Sequence, residues 1–91
     1  MKAADWIDQV KTALNLPSDY AAAKALHITR SAVSNYRNRE STLDEETAFN
    51  VARALKLNPV GIVLDQLAER SKNVEVRTAL SREAARLCIL C

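Results

Sequence analysis

Glycine is nearly absent from this chain: Gly61 stands alone, and Pro17 and Pro59 are the two prolines. That leaves little punctuation for hairpins and turns the expectation away from strands. Cysteine is missing until Cys88 and Cys91, which excludes a disulfide framework and makes a reducing cytoplasm the expected setting. No stretch approaches the roughly 18 apolar residues needed to span a bilayer, so no membrane partner is expected. Trp6-Ile7-Asp8 opens an amphipathic pattern where a secretion signal would carry an apolar run. There is no internal repeat, no low-complexity segment and no large excess of either charge, the formal net charge being +2.

What is present is alanine, leucine, arginine, lysine and glutamate in quantity, with 48% hydrophobic and 26% charged residues. Such a composition suits one small, all-helical globular domain with a modest core. The charge is unevenly placed. Lys24, Arg30, Arg37 and Arg39 occur with no acidic residue among them, and Glu40, Asp44, Glu45 and Glu46 follow at once. A local basic face on a near-neutral body suits a partner bound through phosphates and released easily from wrong sites.

Apolar periodicity divides the chain into helices. Trp6, Ile7, Val10, Ala13 and Leu14 form one stripe over 3–14, which ends near Asn15 because Leu16-Pro17 cannot easily continue it. Ser18 is a good N-cap for a second helix over 19–26, with Asp19 facing the positive end of its dipole. His27-Ile28 makes a turn, and Thr29 caps a third helix over 30–37. Thr42 with Glu45 fits a capping box, with Asp44 a rival cap; either opens a fourth helix to about residue 56, with Ala48, Val51, Ala52 and Leu55 inward. Asn58-Pro59 starts a fifth helix that runs to about Glu69 and is expected to bury Val63, Leu64 and Leu67. A last helical segment over 74–90 carries Val76, Leu80, Ala84 and Leu87 on one narrow stripe, with Ser81 a possible break.

The third helix has an unusual front. Val33 and Tyr36 lie three apart and face the core, so Arg30, Ser31, Ser34 and Asn35 project from the opposite side. Ordinary solvated helices carry Glu and Lys pairs there. Small hydroxyls instead allow close approach to base edges, while Asn pairs bidentately with adenine and Arg with guanine. Thr29 and Ser31 at the helix start can donate to phosphate. In the preceding helix Ala22, Ala23 and Leu26 face inward and Lys24 faces out, and the small Ala23 lets the two helices cross closely. Arg37-Asn38-Arg39 forms a basic, polar stretch suited to the sugar-phosphate backbone. Arg37 also has a second reading at the edge of the core, paired with Asp8.

The string Ala23-x-x-Leu26-x-Ile28-Thr29-x-Ser31-x-Val33-Ser34-x-Tyr36, continued by Val51-Ala52-Arg53-Ala54-Leu55-x-Leu57, resembles the Cro/repressor-type helix-turn-helix domain of phage lambda-like repressors. The resemblance covers residues 18–64, about half the chain. It implies a compact five-helix DNA-binding domain over 1–70 that binds a double-stranded operator as a homodimer. It places base contacts at Thr29, Arg30, Ser31, Ser34 and Asn35, and backbone contacts at Ser18 and around Asn38 and Arg39. Three positions depart from the pattern: His27 stands where the turn usually has Gly, Asp19 where the second helix often opens with Gln, and Arg39 where the following loop often has Gly.

Residues 71–91 lie outside the shared domain and form a C-terminal helical extension. Its narrow stripe of Val76, Leu80, Ala84 and Leu87 needs a cover, either the chain's own core or a second copy, and the second copy is the favoured expectation, since a free apolar patch is a liability on a monomer. Cys88-x-x-Cys91 has the spacing of half a zinc site, but one histidine cannot complete four ligands, and the cysteines read as small apolar residues. There is no Gly-rich phosphate loop and no Ser-His-Asp set, so neither catalysis nor a cofactor is expected, and no small-molecule ligand. The alternatives to a phage-type repressor are the antitoxin of a toxin-antitoxin pair, with 71–91 clasping the toxin, and a helical protein-interaction module.

Overall fold

The computed structural model describes residues 1–89, with side chains as far as Leu87. The described residues form six helices and no strand: α1 Ala3–Ala13, α2 Asp19–Ala25, α3 Arg30–Asn38, α4 Glu45–Leu55, α5 Pro59–Arg70 and α6 Val74–Ile89. This is the all-α architecture expected, a five-helix body with one helix added.

The caps explain the boundaries. Ser18 accepts the Ala21 amide at 3.1 Å and Thr29 accepts that of Ala32 at 3.1 Å, so each hydroxyl satisfies a donor that the first turn leaves unpaired. Asp44, not Thr42, caps α4, accepting the Thr47 amide at 2.7 Å. A carboxylate is the better acceptor beside the helix dipole, and Glu45 and Glu46 add to it. Asn58 caps α5 with Pro59 behind it.

α1 and α2 both end in left-handed residues, Asn15 at φ 54° and His27 at φ 57°. At each end the paired hydrogen bonds of a Schellman motif close the last turn: His27 N–H to Lys24 O with Ile28 N–H to Ala23 O, and Asn15 N–H to Thr12 O with Leu16 N–H to Lys11 O. His27 therefore takes the glycine conformation at the helix turn without altering the turn. After α3 the left-handed residue is Glu40, at φ 53°, while Arg39 stays at φ −114°. The bend after α3 thus falls at Glu40, and Arg39 needs no left-handed conformation.

The core gathers Ile7 and Val10 of α1, Ala22, Ala23 and Leu26 of α2, Val33 and Tyr36 of α3, Leu43, Ala48, Val51 and Ala52, and Ile62 of α5. α1 packs against α2, α3 and α4 at once, and so sets the crossing of the two helices that matter for function. Ala13 and Leu14, expected on its buried stripe, are exposed, because the helix stops before their turn reaches the core. Leu55 is half-buried against the core.

α5 differs from expectation in its phase. Gly61, Ile62, Gln66 and Ala68 are buried, Val63 and Leu64 are half-buried, and Leu67 is 40% exposed. The inward row is Ile62–Gln66, turned by about 100° from the leucine row, one residue's worth of helical rotation. Gln66 occupies that row because its amide is fully partnered: it accepts the Leu43 N–H at 2.9 Å and donates to the Met1 carbonyl at 3.0 Å and to Asp65 at 3.0 Å.

α6 is one unbroken helix, so Ser81 does not interrupt it. Residues 71–73 fold it back on α5, its main neighbour, as a helical hairpin. Ala84 is 3% exposed and Leu80 and Leu87 are half-buried, which corrects the expectation that a second copy covers the whole stripe. The short connection puts α5 within reach first, and the stripe is largely covered inside the chain. Val76, at 44%, stays open. The side chains of Cys88 and Ile89, with Leu90 and Cys91, lie outside the described residues. No helix of the described residues is long and apolar enough to cross a membrane.

Candidate nucleic-acid interface

α3 stands on the surface with its back fixed. Val33 and Tyr36 are buried, and burial pushes the Tyr36 phenol above its ordinary range. Thr29, Arg30, Ser31, Ser34 and Asn35 are all exposed. Spacing arranges them in two rows of four-residue steps, Arg30–Ser34–Asn38 and Ser31–Asn35, along one face. Asn38 donates to the Ser34 hydroxyl at 3.1 Å, tying the end of the first row. The hydroxyl of Thr29 accepts from its own helix, which leaves its proton directed elsewhere.

The residues expected to contact the DNA backbone flank α3 on the surface. Ser18 at the N-cap of α2 and Lys24 within that helix are exposed, as are Asn38 at the end of α3 and Arg39 just after it. Arg39 has no carboxylate partner among the described residues, and neither do Lys24 and Arg30. The cationic face is thus unneutralised and free of acidic side chains. A shallow groove between α2 and α3, lined by Asp19, Tyr20, Arg30, Val33 and Ser34, borders it.

Arg37 departs from the rest. Its Nε donates to Asp19 Oδ2 at 3.1 Å and its Nη2 to Asp19 Oδ1 at 2.8 Å; Nη1 and Nη2 reach Asp8 at 3.2 and 2.6 Å. The paired guanidinium holds the Asp19 carboxyl down at about 2 and keeps Asp8 below its usual range, while the two carboxylates raise Arg37 further. Lys11 completes the cluster, 3.1 Å from Asp19. Of the two readings of Arg37 the structure realises the one at the core edge, with Asp8, and adds Asp19. The same contacts neutralise the acidic side chain at the opening of α2, next to the basic face.

The turn is braced from behind. Asn50 of α4 donates to the Leu26 carbonyl at 3.1 Å, satisfying an acceptor that the end of α2 leaves open, and is itself held by Arg53 at 3.2 Å. Sequence reasoning missed Asn50, because its partner is a backbone atom 24 residues away.

Two short helices closed by a Schellman turn, braced from behind and presenting one polar, basic face, form a helix-turn-helix. A helix-turn-helix family model matches residues 12–62, more than half of the chain, and spans α2 to the start of α5. The chain belongs to the Cro/repressor-type helix-turn-helix family. It is a DNA-binding transcription regulator of the helix-turn-helix kind. No curated protein and no solved structure matches it. The matched residues include all of α2, the turn and α3. At the opening of α2 the chain carries Asp19, held by Arg37 of α3.

Proposed function

We propose that this protein is a repressor of the phage or prophage type that binds a near-palindromic operator as a homodimer. Each copy sets its α3 in the major groove, with the two third helices about 34 Å apart. Arg30 and Asn35 read bases, preferring guanine and adenine, with Thr29, Ser31 and Ser34 as adaptable partners. Ser18, Lys24, Asn38 and Arg39 grip phosphate, and Arg37 holds the two helices in register. Bound across a promoter, the dimer blocks polymerase.

The observation that carries this reading is the contrast across α3: Val33 is 2% exposed, whereas every side chain on the far face is open and none is acidic. Dimerisation is supported by the apolar side chains one copy leaves uncovered. Val60 and Leu67 lie seven apart on one face of α5, 49% and 40% exposed, and Val74 and Val76 begin α6. Selection from random duplexes, with a solution mass measurement of the complex, tests the proposal. The expected result is an inverted-repeat consensus bound by two copies. An asymmetric consensus bound by one copy overturns the dimeric repressor.

A further inference from the structure

Trp6 and Tyr36 serve the core, whereas Tyr20, in the first turn of α2, is 53% exposed. Its ring lies against two cations at the edge of the recognition face: Arg30 Cζ is 5.2 Å and Lys24 Nζ 5.6 Å from the ring centroid. Arg30 is the first residue of α3, at the end of that helix that enters the groove.

We propose that Tyr20 is a positioning residue that sets the preference of this protein for guanine in its operator, by holding the Arg30 guanidinium at the edge of the recognition face before DNA arrives. The inference rests on the operator reading above and adds a specificity determinant to it. A long arginine side chain loses rotamer freedom on docking, and a support present beforehand reduces that loss. A carboxylate could supply the support, but it would cancel the charge and occupy the same N–H donors that must reach guanine O6 and N7. A neutral ring attracts the cation through its π face and occupies none of the N–H donors that a carboxylate would take. The acidic side chain that lines the groove, Asp19, is paired with Arg37 and Lys11 and not with Arg30. Lys24 on the same ring brings a second cation beside the first, placed for the neighbouring phosphate.

The test starts from the consensus duplex that the wild-type protein selects, with the guanine identified as the position at which Arg30→Ala loses preference. Anisotropy titrations then compare that duplex with its guanine-to-adenine counterpart for four proteins. Tyr20→Ala and Tyr20→Leu are expected to reduce the guanine-over-adenine ratio about two- to five-fold, the range of an exposed cation–π contact. Tyr20→Phe, which keeps the ring, is expected to retain the wild-type ratio, and all variants to bind scrambled duplex alike. If Tyr20→Leu keeps the full ratio, the positioning role is overturned and the operator reading stands. If the wild-type protein selects no consensus, or Arg30→Ala relaxes no guanine, the operator reading fails and this proposal with it. Thermal melts accompany the titrations, and Tyr20→Leu preserves the apolar cover should Tyr20→Ala prove less stable.

Discussion

Arg37 on α3 and Asp19 on α2 meet in a two-point ion pair, with Nε–Oδ2 at 3.1 Å and Nη2–Oδ1 at 2.8 Å. Asp8 on α1 joins from the other side at 2.6 Å, so a single guanidinium ties all three helices around the turn. A bidentate arginine pair is directional as well as attractive, and it fixes how α2 crosses α3.

The first prediction concerns that tie. Arg37→Ala is expected to lower stability by about 1–2 kcal/mol, a figure reduced for the partial exposure of both carboxylates. In double-mutant cycles the coupling of Arg37 to Asp19 exceeds its coupling to Asp8, because Asp8 is the more solvated partner, at 56% side-chain exposure against 40%. Urea titrations of the single and double alanine variants measure both terms. Equal couplings would place the tie on α1 as much as on α2.

The same cluster fixes an acid dependence. Asp19 has a folded pKa of about 2, below its ordinary carboxylate value of 3.8. A lowered pKa means stability present above the unfolded value and lost as pH falls through the folded one. The stability difference between wild type and Asp19→Asn should therefore be constant from pH 7 to about 5, then shrink as pH falls toward 2. Solvent screening holds the plateau to about 1 kcal/mol. A difference that persists unchanged at pH 2 would show that the carboxylate charge is not what matters.

Much of this was legible in the sequence, and the reasons differ by residue. Ser18, Thr29 and Asn58-Pro59 declared their helix starts because capping is a local interaction between neighbours. The back of α3 was legible because Val33 and Tyr36 leave one possible inward side. Gln66 was not, since a polar side chain earns burial through the Leu43 amide, 23 residues distant, and no periodicity records that. Missing it also shifted the phase assigned to α5. The cover over Ala84 was hidden for a related reason: a stripe states that it needs a partner, and only the length of the 71–73 connection decides that the partner is α5.

His27 gives a prediction about the turn. Its left-handed conformation at φ 57° costs a residue with a Cβ more than it costs glycine. The side chain is exposed, so nothing is lost from the core on its removal. His27→Gly should raise stability by about 0.5–1 kcal/mol, the conformational relief being partly offset by the freer unfolded chain. Operator affinity should not change. A lower urea midpoint for this variant would mean that the imidazole makes a contribution of its own.

Arg30 and Arg39 should separate in their effects on DNA. Arg30 begins the face assigned to base reading, whereas Arg39 follows it in the loop. Arg30→Ala is expected to cost about 1–3 kcal/mol on the selected operator and to relax preference at one base pair. Arg39→Ala should weaken matched and scrambled duplexes alike and reduce the slope of log affinity against log salt by about 1. Titrations of both duplexes over a range of salt give each quantity. Equal losses on the two duplexes for both variants would remove the distinction between reader and positioner.

The last prediction joins the buried amide to the DNA face. Gln66 accepts the Leu43 N–H at 2.9 Å from a fully buried position, and Leu43 closes the segment that carries Arg39 away from α3. Gln66→Leu has nearly the same volume but strands that N–H in a dry site, which should cost about 1–3 kcal/mol. Hydrogen exchange at Leu43 is the direct measurement, slow in the wild type and accelerated in the variant relative to core amides of α1 such as Val10. The anchored segment then moves more freely, and phosphate contacts from Asn38 and Arg39 weaken on matched and scrambled duplexes in equal measure, with base preference kept. Loss of base preference instead would mean that Gln66 supports α3 itself, through Leu43 and the core beneath Tyr36.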